Sequence, residues 1–249
     1  SITTAPQVGS GHVILDTSTY TDDTTDFTDA GTADVILLPV IPTVGDGFYI
    51  GYSEKFCKAK VTTSTARTGT ATLAVKYWDG SAWTAIPAAD LDDDTVGWST
   101  TAGILLINFA PPTDWVANTA ANGPNGQTGF FIAMELTALT TVTANPVATQ
   151  GWVYPLVTGA SGQKAAAAFS TFTLTMTAQT TSGTAADSIF LLVNTTTGSY
   201  KKCTWTKNDP FDSETGSMIV SKNDELALVQ VGEDGTTEYA DANFVLTLN

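Results

Sequence analysis

Short segments in which β-branched or apolar residues alternate with polar ones recur along the chain, and this pattern most constrains what it can fold into. Phe56-Cys57-Lys58-Ala59-Lys60-Val61-Thr62-Thr63, Ala71-Thr72-Leu73-Ala74-Val75-Lys76-Tyr77-Trp78 and Phe172-Thr173-Leu174-Thr175-Met176-Thr177 all carry it. Successive side chains of a strand point to opposite faces, so a period of two marks a strand with one face buried. The runs at 103–109, 129–137, 189–193 and 243–248 are more continuously apolar and predict buried strands. The run Val35-Ile36-Leu37-Leu38-Pro39-Val40-Ile41 reads as a short strand cut by proline. Threonine is the dominant polar residue; with valine it has restricted χ1 freedom suited to a pleated backbone, while strong helix formers are scarce.

The predicted fold is therefore all-β: two β-sandwich, jelly-roll-like domains over 35–157 and 158–249, joined by small residues around 158–167. Residues 1–34 are rich in Thr, Asp and Gly, and the first lysine is Lys55. Such a segment gains little on ordering, so an extended N-terminal arm is expected, suited to adding a strand to a partner's sheet. Tyr20 sits in this arm as a candidate contact residue. Asp79-Gly80 predicts a two-residue hairpin turn between Trp78 and the returning Ser81-Ala82-Trp83-Thr84. Asp90 to Asp94 predicts a turn.

Ten Lys and Arg against 25 Asp and Glu give a formal net charge of -15. A surface this acidic repels phosphate backbones and anionic lipid, so neither a nucleic acid nor a membrane is the expected partner. No apolar stretch approaches the roughly 20 residues of a membrane span. The opening Ser1-Ile2-Thr3-Thr4 lacks the basic and apolar regions of a leader, predicting synthesis and folding in a cytosol. Cys57 and Cys203 are too few for a disulfide framework; two buried thiols are expected, with one bridge as the alternative.

The residue inventory argues against catalysis. The one histidine, His12, lies in the expected arm beside Gly9, Ser10 and Gly11, which removes the usual base of a nucleophilic triad. No His/Cys spacing suits zinc, and no glycine motif cradles phosphate. Carboxylates are plentiful, but a glycosidase pair cannot be picked out before the chain is folded. Asp90, Asp92 and Asp94 are the candidate ligands for calcium, with Asp22-Asp23-Thr24-Thr25-Asp26 as a second acidic segment; neither has EF-hand spacing, and solvated acidic loops are the default. Of six tryptophans, most lie in or beside apolar segments and are expected in a core or subunit interface. Trp78, Asp79 and Trp83 at the hairpin are the candidate contact residues.

The segment Val75-Lys76-Tyr77-Trp78-Asp79-Gly80-Ser81-Ala82-Trp83-Thr84-Ala85-Ile86 resembles virion proteins of tailed bacteriophages, in which a strand ends in Tyr-Trp-Asp-Gly and returns through a second Trp. The order that follows is also similar: Asp94-Thr95, Gly103-Ile104-Leu105, Pro112-Thr113-Asp114-Trp115 and Gly129-Phe130-Phe131-Ile132. The likeness covers roughly residues 45 to 137, about a third of the chain, and Trp-Asp-Gly hairpins also occur in carbohydrate-binding β-sandwiches. It implies a structural component of the virion, made in the host cytoplasm. Such a component would be a capsid decoration (cement) protein, working as a homotrimer on the major capsid protein. A tail, baseplate or fibre subunit and a sugar-binding module are the alternatives, and a carbohydrate-degrading enzyme is the last.

Overall fold

The computed structural model describes residues 11–28, 35–93, 95–99, 102–156, 163–165, 167–177, 180–182, 188–205, 211–232, 238–240 and 243–248. The chain is all-β. Among the described residues every strand pairing is antiparallel, and helix is confined to one five-residue α-helix and two short 3-10 turns. Two compact units are present, Ala5–Pro155 and Leu156–Asn249.

In the N-terminal unit the strands are β1 Gly11–Asp16, β2 Thr19–Asp22, β3 Val35–Ile36, β4 Gly47–Tyr52, β5 Phe56–Thr65 and β6 Thr68–Trp78. They are followed by β7 Trp83–Ala85, β8 Leu91–Asp93, β9 Ile104–Phe109, β10 Phe130–Ala144 and β11 Val147–Pro155, with α1 Thr24–Thr28 between β2 and β3. One sheet runs β2-β1-β4-β10-β6-β7 and the other β3-β11-β5-β9-β8. The period of two explains the sandwich directly. Phe48, Ile50, Val75, Ile132 and Met134 of the six-stranded sheet face Ala59, Val61, Ile107 and Val153 of the five-stranded sheet in one buried cluster. Trp98 and Trp115 complete that core, as expected of most tryptophans.

The expected arm is corrected for residues 11–28. Strand β1 pairs with β4, His12 opposite Ile50, and β2 pairs with β1, so this segment forms the edge of the six-stranded sheet. The cause lies in partners distant in sequence. Asp46, buried, accepts hydrogen bonds from the Thr17 backbone N–H at 2.7 Å and the Thr43 N–H at 2.6 Å, which clamps the β1–β2 turn to the body of the unit. Thr17 and Ser18 take the two positive φ values, 43° and 72°, that a two-residue hairpin with the right twist needs. Helix α1 drives Phe27, fully buried, over Gly151 of β11; a Cβ there would lie 1.8 Å from the ring. Residues 1–10 and 29–34 of the expected arm lie outside the described residues.

The C-terminal unit holds β12 Gln163–Lys164, β13 Phe169–Thr177, β14 Thr180–Ser182, β15 Ser188–Asn194, β16 Tyr200–Trp205, β17 Phe211–Val220, β18 Glu225–Gly232, β19 Glu238–Ala240 and β20 Asn243–Leu248. A four-stranded sheet, β12-β18-β15-β16, and a three-stranded sheet, β17-β13-β20, share a core. Phe172, Leu174 and Met176 of β13 and Phe190, Leu192 and Trp205 of β15 and β16 lie in it. The pairing β14-β19 stands apart. Most of the expected linker, residues 158–162 and 166, lies outside the described residues. Cys57 and Cys203 are buried free thiols in separate units, and burial pushes each up to about 12.

Candidate functional site

The Trp-Asp-Gly segment makes a hairpin, but a four-residue one. Trp78 pairs with Trp83, and the loop is Asp79 to Ala82, not the two-residue Asp79-Gly80 turn the dipeptide suggests. The Asp79 carboxylate decides the length. Its Oδ1 accepts from the Ser81 N–H at 2.7 Å, the Ser81 hydroxyl at 2.8 Å and the Ala82 N–H at 2.8 Å, while its Oδ2 accepts from the Thr84 hydroxyl at 2.8 Å. Gly80 supplies the left-handed step, with φ at 98°. These donors, the Ala82 and Ser81 groups foremost, hold the carboxyl well below the usual carboxylate range.

Trp78, Trp83 and Tyr20 come together on the outer face of the six-stranded sheet, joined by a residue the sequence did not single out. Tyr49 of β4, buried, lies edge-on between Tyr20 and Trp83, with ring centroids 5.7 and 5.0 Å away. Trp83 then meets Trp78 at 5.9 Å. The row thus runs across the sheet from β2 to β7, in the edge-to-face geometry that aromatic quadrupoles favour. Phe131, fully buried, belongs to the same face and lies over Gly51, where a Cβ would sit 2.1 Å from its ring. Burial, reinforced by Tyr20, pushes the Tyr49 hydroxyl far above its ordinary range. Lys76 on this face is neutralised by Glu135 at 2.6 Å.

The acidic segment is not the free turn expected. Residues 88–90 form a 3-10 turn, and Leu91–Asp93 is strand β8, paired with β9. Of the candidate ligands, Asp90 ends the 3-10 turn and Asp92 lies in the strand, accepting from the Asn108 side-chain amide at 3.2 Å on the outer face; Asp93, beside Asp92, accepts from the Thr95 N–H at 2.9 Å. Burial raises the Asp93 carboxyl above its ordinary value. Asp94 lies outside the described residues, and among those described no three His, Cys, Asp or Glu side chains converge as metal ligands. Asp22, of the second acidic segment, accepts from the Thr24 N–H at 2.9 Å and from the Gln127 amide at 2.9 Å. Arg67, the one arginine, is buried, donating to the Gly97 carbonyl at 2.7 Å and the Gly69 carbonyl at 2.9 Å; it holds the chain around Trp98 in place.

Two surfaces emerge only in the fold. The first is an apolar lip. Of the run read as one strand, only Val35 and Ile36 pair with β11; Leu37 and Leu38 turn into the core, and the chain then leaves the sheet. Val40, Ile41 and Val44 are left 78%, 82% and 61% exposed. Val40 and Ile41 line an open groove of about 600 Å³ together with Ile14, Ile36, Pro39, Asp16 and Thr21. Pro39 and Pro42, which end pairing, were the signal. The second is the outer face of the five-stranded sheet. Trp152 stands opposite Lys60 and Tyr154 opposite Lys58, with the Lys60 ammonium 4.5 Å above the Trp152 ring and the Lys58 ammonium 5.7 Å from that of Tyr154. The matching periods, Lys58/Lys60 and Trp152/Tyr154, were visible in the sequence, but nothing there paired the two segments.

No family model, no curated protein and no solved structure matches the chain.

Proposed function

We propose that this chain is a non-catalytic structural protein of a virion, a capsid decoration protein that docks on the major capsid protein and stabilises the shell by contact. The observation that supports this reading best is the apolar lip. Val40, Ile41 and Val44 stand in water, the first two lining a groove next to β2, whose outer edge pairs with nothing among the described residues. Clustered exposed apolar side chains of this kind suit protein contact, and an open strand edge adds directional backbone hydrogen bonds. The hairpin fits the same role: an Asp79-pinned loop on an interlocked aromatic row is a rigid element, so docking costs little further ordering. The phage-like segment from Val75 to Ile86 supports a virion subunit as that partner, on the capsid or on the tail.

The test is particle binding. Purified chain is added to undecorated capsids, and the heat resistance of the particles is measured. The wild type is expected to bind as a homotrimer and raise the temperature of genome release. Val40→Asp/Ile41→Asp, which changes only exposed side chains, is expected to keep its own melting temperature and lose particle binding. A double variant that binds and protects like the wild type overturns the reading; label on tails and not heads moves it to a tail or fibre subunit.

A further inference from the structure

We propose that the outer face of the five-stranded sheet, at Trp152, Tyr154, Lys58 and Lys60, is a binding site for an acidic polysaccharide, a chain of hexuronate units. The charge distribution is the first argument. Residues 5–155 carry fifteen carboxylates against five cations, and three of those five fall between Lys55 and Lys60. Arg67 is buried among carbonyls and Lys76 is paired with Glu135. Lys58 and Lys60 have no carboxylate within ion-pair distance among the described residues. An acidic unit has thus left two cations without an ion pair side by side on one face, while Lys55 lies over the Phe130 ring.

The second argument is what they stand on. Trp152 and Tyr154 are two residues apart on β11 and share a face, about 7 Å apart along the strand. Each ring is half-buried and carries a lysine from the neighbouring strand β5. An aromatic ring offers an apolar plane to the C–H face of a pyranose, and an ammonium beside it offers charge-assisted hydrogen bonds to a carboxylate. When a uronate chain arrives, the flexible lysine stems swing from ring to carboxylate. A cation–π contact is exchanged for a charge-assisted hydrogen bond, and the ring is uncovered for stacking.

The chemistry distinguishes this occupant from two others. A neutral glycan has no use for the unneutralised lysines. A nucleic acid offers bases to stack, but its denser charge meets the acidic remainder of the unit; a uronate chain engages the two lysines within the roughly 8 Å over which charge acts at physiological salt.

The experiment uses the full chain, with affinity electrophoresis and titration calorimetry against homogalacturonan and alginate oligosaccharides, a neutral dextran of equal length and single-stranded DNA. Binding to at least one uronate is expected, weakening as salt rises, at least 10-fold weaker in Lys58→Ala/Lys60→Ala and in Trp152→Ala, and retained in Lys58→Arg/Lys60→Arg. Unchanged melting temperatures separate lost contacts from lost fold. No binding to either uronate, equal binding to dextran, tighter binding to DNA, or an alanine variant that binds like the wild type each overturns the proposal. The Val40→Asp/Ile41→Asp variant keeps this site intact, so failure here and failure of capsid docking are read independently.

Discussion

The two outer faces of the N-terminal sandwich are both aromatic, and they differ in what the rings touch. On the six-stranded sheet Tyr20, Tyr49, Trp83 and Trp78 lean on one another, Phe131 fills the space above Gly51, and the lysine present is neutralised by Glu135. On the five-stranded sheet Trp152 and Tyr154 touch lysines instead, and those lysines have no acid partner among the described residues. The first face is satisfied by its own side chains and behaves as an outlying piece of core. The second has unmatched charge over apolar rings, an arrangement completed by something else. Aromatic content alone therefore says little about binding; the partner each ring has already found decides it.

The largest effect that separates the faces is a truncation on the first. Phe131→Ala removes a fully buried ring and leaves a void between Gly51 and Tyr49, at an expected cost of about 3–5 kcal/mol in urea or thermal unfolding. Gly51→Ala attacks the same contact from below: its Cβ meets the ring at 2.1 Å, so Phe131 must move, at about 1–3 kcal/mol. If both variants melt like the wild type, this face is not core-like and the contrast fails.

Two carboxylates sharpen the comparison through pH, with opposite signs. Asp79 is held below its ordinary range by hydrogen bonds made only in the fold. Its contribution is present above the unfolded carboxylate pKa and is lost as the pH falls through the depressed folded value. Asp79→Asn should therefore unfold more easily at neutral pH and lose less stability than the wild type on acidification. Asp93 is raised by burial, so ionising it opposes folding: its favourable protonated form is present below the unfolded pKa and is lost as the pH rises through the folded one. Asp93→Asn keeps an acceptor for the Thr95 N–H and should match or exceed wild-type stability at neutral pH, the advantage closing in acid. Melting temperatures across acid to neutral pH read both signs, and parallel curves for the two variants would remove the distinction.

What the sequence made legible follows the range of the interactions involved. Alternation within β5, β6 and β13 is a local property and located those strands, as apolar context placed Trp98, Trp115 and Trp205 in cores. The hairpin at Asp79 was visible as a reversal; its length was not, because a carboxylate reaching Ser81, Ala82 and Thr84 overrides the Asp-Gly dipeptide preference. The supposed arm was misread because its ordering comes from Asp46 and Gly151, neither of which marks residues 11–28 as part of a sheet. The aromatic row depended on Tyr49 and the lysine face on the β5–β11 register, both set by pairing across long stretches of chain.

The smallest expected effect is the most discriminating. Lys58→Ala/Lys60→Ala removes two half-buried cations from a face where each makes a cation–π contact and no ion pair among the described residues, about 1 kcal/mol apiece. Removing positive charge from an acidic unit also adds self-repulsion, which salt screens. The double variant should therefore unfold within about 2 kcal/mol of the wild type at low salt and closer to it at high salt. Lys76→Ala on the other face leaves Glu135 half-buried without its cation and should cost more than the loss of either Lys58 or Lys60. Denaturant unfolding of the three single variants at two salt concentrations ranks them. If Lys58 or Lys60 proves the costliest, those side chains hold the sheet together and the second face is as self-satisfied as the first.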